Sequence, residues 1–89
     1  MPIFNREVTP AQLNQFSHNT LVSHLGIEVV EVKDGYIRAK MPVDARTHQP
    51  LGLLHGGASV ALAETLGSVA ASCCLDLSVC YAVGLEINA

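Results

Sequence analysis

The sequence predicts an α+β fold in which one long central helix is wrapped by an antiparallel β-sheet. Three observations carry that expectation. Asp34-Gly35 separates two short runs rich in Val and Ile, a strong signal for a two-residue β-hairpin. Residues 56–75 favour one long helix, whose small residues Ala58, Ala61, Ala63, Gly67, Ala70 and Ala71 would let a sheet approach closely. Finally, Val79, Tyr81, Val83, Leu85 and Ile87 alternate strictly, as one face of a strand does.

The remaining elements follow in chain order. Thr9-Pro10 opens a helix, with Thr9 as cap and Pro10 in the first helical position. Leu13 and Phe16 give that helix an apolar stripe up to Asn19. A second short turn covers residues 20–25 and stops at Gly26. Residues 27–33 read as a strand and residues 36–41 as its partner, closed by Pro42. Residues 43–54 form a loop punctuated by Pro50 and Gly52. Residues 78–88 read as a third strand. No repeat, low-complexity tract or linker divides the 89 residues, so 1–89 is expected to be one domain. Three strands cover a long helix poorly, so partner chains or further strands are expected to finish the sheet.

Composition narrows the function classes. A net charge of -3 leaves no basic footprint for nucleic acid or anionic lipid. With 49% hydrophobic and only 15% charged residues, this small chain should carry apolar surface that another subunit covers. Cys73, Cys74 and Cys80 are odd in number and lack metal-ligand spacing. The adjacent Cys73 and Cys74 read as small buried hydrophobes on a helix, and the thiols are expected to be reduced, in the cytoplasm. Residues 1–7 have no basic region followed by an apolar run, so a signal peptide is not expected. The apolar stretch 51–75 is not expected to span a membrane, because Glu64 lies in its middle and its Gly, Ser and Ala content is weakly lipophilic.

The chemistry concentrates between Thr47 and Ser68. Glu64 is the only Asp, Glu, Lys or Arg between Arg46 and Asp76. A carboxylate in apolar surroundings must find hydrogen bonds or take up a proton. It can serve as general base on water or as nucleophile on an acyl carbon. Ser68, one turn on, is placed to hydrogen-bond it. Gly56 and Gly57 open the helix, where unpaired backbone N–H groups suit a carbonyl oxygen that becomes negative. The plain alternative is that the two glycines only make a tight helix entry. Gln49 offers a loop amide to a carbonyl or a water. His55 is expected to order the loop through backbone hydrogen bonds rather than to transfer a proton. His18, His24 and His48 have no metal-ligand spacing, so no metal is expected.

Eight positions separate Gly56 from Glu64, or ~12 Å along one helix at 1.5 Å per residue. An attacking carboxylate must come within ~3.5 Å of the carbon. One chain therefore cannot readily supply both groups to one ester or thioester, whereas two antiparallel copies can. A two-fold dimer with composite sites is expected.

The sequence resembles the hotdog-fold acyl-CoA thioesterases. The likeness is to the glutamate-using branch that includes the 4-hydroxybenzoyl-CoA, 1,4-dihydroxy-2-naphthoyl-CoA and enterobactin proofreading thioesterases. It is carried by Ser23-His24-Leu25-Gly26-Ile27, Met41-Pro42-Val43-Asp44, Gln49-Pro50, Leu54-His55-Gly56-Gly57, Ala63-Glu64-Thr65 and Val83-Gly84-Leu85-Glu86-Ile87-Asn88-Ala89. The resemblance implies a hotdog fold and hydrolysis of an acyl-CoA, with an aromatic acyl group, to the acid and free CoA. It implies Glu64 as base or nucleophile, the Gly56 amide on the thioester carbonyl, and Gln49 on that carbonyl or the water. His55 would order the loop, Ser68 would supply a hydroxyl near the glutamate, and Gly57, Leu54 and His48 would contact substrate. It implies a homodimer or homotetramer with sites between subunits, and a reaction that needs no cofactor. Family members continue past Asn88-Ala89 with further strands, so a partial hotdog domain is expected. A dehydratase of the same fold and a non-catalytic fragment that self-associates or binds acyl-CoA are the competing readings.

Overall fold

The structure of the protein, a computed structural model, describes residues 2–88. Helix α1 spans Pro10–Phe16. The Thr9 hydroxyl accepts the Gln12 N–H at 3.2 Å, and Gln12 Oε1 accepts the Thr9 N–H at 2.9 Å, closing a capping box. The helix ends before Asn19, because the Ser17 N–H bonds back to the Leu13 and Asn14 carbonyls and Asn19 takes a positive φ of 59°. Phe16 is 86% exposed, so only part of the expected apolar stripe faces inward. A single turn, α2 (Leu21–His24), follows and stops at Gly26, whose φ is 76°. A side chain there would also strike Pro42 and Arg46.

Strands β1 (Glu28–Lys33) and β2 (Tyr36–Lys40) form the expected antiparallel hairpin. Lys33 faces Tyr36 across the two-residue turn, and Gly35 supplies the positive φ of 72°. The register passes from Val29–Ala39 to Glu31–Arg38, which leaves Val30 as a bulge. Beside it, the Asn14 amide behaves like a short strand. Asn14 Oδ1 accepts the Val29 N–H at 2.8 Å and Asn14 Nδ2 donates to the Val29 carbonyl at 3.0 Å. This fastens α1 to the outer edge of β1.

Helix α3 spans Gly56–Cys73 and packs against β2. Its last carbonyls have no partner within the helix. The N-terminal strap meets them: the Asn5 N–H donates to the Cys73 carbonyl at 2.7 Å, and Asn5 Nδ2 to the Leu75 carbonyl at 3.1 Å. The strap is fixed at its other side by Asp34, whose two carboxylate oxygens accept the Ile3 and Phe4 N–H groups at 2.8 and 2.7 Å. Those two bonds hold the Asp34 carboxyl below its ordinary range. Phe4 thereby enters the core with Ile27, Val29, Ala58 and Cys73. Burial pushes the Cys73 thiol up. Cys74 is exposed, so the reading of the two adjacent cysteines as buried holds only for Cys73; Cys80 is exposed as well.

The third strand does not form. After α3, Asp76 organises a turn by accepting the Ser78 N–H at 3.0 Å and the Ser78 hydroxyl at 2.6 Å. Residues 80–88 have no regular structure, and Tyr81 and Leu85 are 78% and 95% exposed. An alternating pattern becomes a strand only when an edge satisfies its backbone. Among the described residues the sheet has two strands, paired only with each other. No helix among them is long and apolar enough to cross a membrane.

Candidate active site

The loop before α3 is held by its own backbone. Thr47 is 2% exposed; its hydroxyl donates to the Pro42 carbonyl at 2.7 Å and accepts the Asp44 N–H at 3.2 Å. The Thr47 carbonyl accepts the His55 N–H at 2.8 Å, and the Leu53 carbonyl accepts the Gln49 N–H at 2.7 Å. Residues 47–49 and 53–55 thus run side by side around a bridge between His48 and Leu54. Beneath them Arg46 pairs with Asp44 at 2.6 Å, which draws the Asp44 carboxyl down to about 2. Gln49 Oε1 accepts the Leu51 N–H within the loop, which leaves its amide NH2 as the group free to donate.

This small hairpin delivers His55 to the N-cap of α3. His55 Nδ1 accepts the Gly57 N–H at 2.8 Å. A backbone donor requires a bare ring nitrogen, so the neutral tautomer assigned by this bond carries its proton on Nε2. The Ala58 and Ser59 N–H groups both reach the His55 carbonyl, at 3.0 and 3.3 Å. The first turn is then accounted for except at Gly56, whose N–H has no acceptor among the described residues. Gly56 also faces open space. Gly57 does not: a side chain there would meet the His55 ring at 2.8 to 2.9 Å. Gly57 therefore serves His55, while Gly56 retains the available donor.

Glu64 lies two turns further on and is half-buried. The Ser68 hydroxyl donates to Glu64 Oε1 at 2.5 Å, the contact that their spacing of four on one helix anticipates. The other neighbour comes from outside the helix. The irregular segment after residue 80 passes Glu64 at Gly84, where a Cβ would lie 3.1 Å from the carboxyl carbon. An open cleft of about 800 Å³ runs beside Ser68, lined by Leu13 and Phe16 from α1, Val69 and Ser72 from α3, and Leu77 and Tyr81.

Two clusters result. One joins Gln49, His48, Leu54, His55, Gly56 and Gly57 at the helix start; the other joins Glu64 and Ser68. Since α3 is continuous from Gly56 to Cys73, they stand ~12 Å apart and do not meet within one chain. His48, Leu54, His55, Gly56 and Gly57 are all exposed. Among the described residues no three His, Cys, Asp or Glu side chains gather as a metal would require. The sequence reading passed over the buried anchor Thr47 and assigned no role to Gly84. The signal available for Gly84 was a glycine inside a strand-like run, which often marks a close approach of backbone.

Known proteins resemble the chain as a whole, although no family model matches it. The proofreading thioesterase EntH of Klebsiella pneumoniae is 57% identical over 86 residues, which are 97% of this chain and 62% of that protein. A crystal structure of a Pseudomonas aeruginosa thioesterase, in a variant with one glutamine replaced by alanine, superposes with a TM-score of 0.90 at 48% identity. That match covers 97% of this chain and 62% of the other. The chain is a homologue of the hotdog-fold thioesterases. A Haemophilus influenzae thioesterase structure agrees, with a TM-score of 0.79 and 54% identity over 83% of this chain and 52% of its own. This hotdog-fold chain spans 62% of the length of the curated relatives it matches.

Proposed function

We propose that the chain serves as an acyl-CoA thioesterase, hydrolysing the thioester of an aromatic acyl-CoA, such as 1,4-dihydroxy-2-naphthoyl-CoA or hydroxybenzoyl-CoA, to the acid and free CoA. The observation that carries this reading is a single helix with an unoccupied N–H at Gly56 and a half-buried carboxylate, Glu64, held by Ser68. The Gly56 N–H binds the thioester oxygen and stabilises the negative charge that develops on it. Glu64 takes a proton from water as the new C–O bond forms, or attacks the carbon itself and is released by water. The C–S bond breaks, and CoA leaves as a thiol once protonated. Gln49 donates its NH2 to the same carbonyl or to the water. His55 keeps the loop and the helix start in register.

The ~12 Å between Gly56 and Glu64 supports a composite site, with Gly56 of one subunit facing Glu64 of another in a homodimer or homotetramer. The cleft beside Ser68, with Phe16 and Tyr81 on its walls, supports a flat aromatic acyl group. The cysteine usage supports a cytoplasmic setting. The exposed apolar residues of 79–88 favour a second reading, a fragment that self-associates or binds acyl-CoA without turnover.

Benzoyl-CoA turnover followed by free-thiol release separates the two. The expected outcome is steady release that Glu64→Ala lowers by about 10²- to 10⁴-fold with the fold intact. No release from concentrated, folded protein would leave the non-catalytic reading, and an unchanged rate in the variant would remove Glu64 from its role.

A further inference from the structure

Gly84 is a glycine for reasons of space rather than backbone shape. The glycines with positive φ among the described residues are Gly26, Gly35 and Gly52, so the conformation at Gly84 is open to any residue. What excludes a side chain is Glu64: an ideal Cβ on Gly84 would overlap Oε1 and sit 3.1 Å from the carboxyl carbon. Oε1 is also the atom that accepts the Ser68 hydroxyl at 2.5 Å. The carboxylate is therefore held from within its helix by Ser68 and bounded from outside by a bare stretch of backbone.

We infer that Gly84 is a positioning residue for Glu64, fixing where the carboxylate points by leaving room for one placement. The inference rests on the reading of Glu64 as base or nucleophile. The atoms that would collide belong to the far end of a flexible side chain, so a methyl group at 84 is relieved by rotating the carboxylate, not by moving backbone. That rotation takes Oε1 off Ser68 and away from the reacting carbon. A displacement of ~1 Å in a catalytic group can cost on the order of 10²-fold in rate.

The test compares Gly84→Ala with the double variant Gly84→Ala/Glu64→Asp, by kinetics and by the side-chain carboxyl carbon resonances. In Gly84→Ala, kcat is expected to fall on the order of 10²-fold while KM stays within about twofold, since ground-state binding is not touched. The Glu64 Cδ resonance shifts while that of Glu28, on the hairpin, does not. The shorter acid of Glu64→Asp clears the methyl group, so Gly84→Ala costs less than about threefold in that background. An unmoved Glu64 resonance, or equal losses in both backgrounds, would overturn the inference. Should Gly84→Ala alone not fold, folding of the double variant upholds the collision at Glu64, and failure of both overturns it. If the unaltered chain releases no thiol, the proposed function fails while the resonance comparison still decides the role of Gly84.

Discussion

Residues 2–8 and residues 79–88 are both irregular, and they are treated in opposite ways. The N-terminal strap has no sequence pattern to speak of, yet Asp34 grips two of its N–H groups, Asn5 reaches two carbonyls at the end of α3, and Phe4 is 7% exposed. The C-terminal segment has a strict strand pattern, yet Val79, Tyr81, Val83 and Leu85 are all more than half exposed. The difference teaches that an ordered segment needs acceptors, donors and a cavity at the right place, and periodicity alone supplies none of them. A run of alternating apolar residues is a demand for an edge, and the strap is an answer to one.

That contrast can be broken at its strong side first. Phe4→Ala is expected to lower stability by about 3 kcal/mol, the lower end for removing a core phenylalanine. Urea unfolding would show it as a reduced midpoint, and a loss below about 1 kcal/mol would mean the strap contributes little to the core. The next effect is smaller and depends on pH. The Asp34 carboxyl is lowered from its ordinary 3.8 by the Ile3 and Phe4 amides. Its contribution is therefore fully present above that unfolded value and is lost as pH falls through the lower, folded one. Thermal midpoints measured from about pH 6 downward should decline below about pH 4, and Asp34→Asn should flatten that part of the decline. The smallest effect belongs to the other end. Leu85→Ser, at a position 95% exposed, should leave the unfolding free energy within about 0.5 kcal/mol of the parent chain. A larger change would show that the Leu85 side chain packs in solution and would weaken the contrast.

What could be read in the sequence follows the same line. Thr9 with Gln12, Asp34-Gly35, and His55 before Gly56-Gly57 are local devices, completed within two or three residues, and each forms where the residues ask for it. The Glu64–Ser68 contact is equally local, one turn of one helix. The missing strand was misread because pairing is a property of two segments, and only one of them was visible in the pattern. Asn14 on Val29 and Asn5 on Leu75 lie 15 and 70 positions apart in sequence, and an asparagine gives no hint of so distant a carbonyl. Gly84 beside Glu64 belongs with them: the glycine inside the run was visible, but its neighbour was not.

Asn14 of α1 also limits how the sheet can grow. Val29 spends both its backbone groups on the Asn14 amide, on the side of β1 away from β2. At that point β1 cannot also receive a strand, and α1 stands in the way of one. Extension of the sheet is thereby given a direction. Any strand that joins it, from this chain or from a second copy, must arrive at the free side of β2, the strand against which α3 already lies.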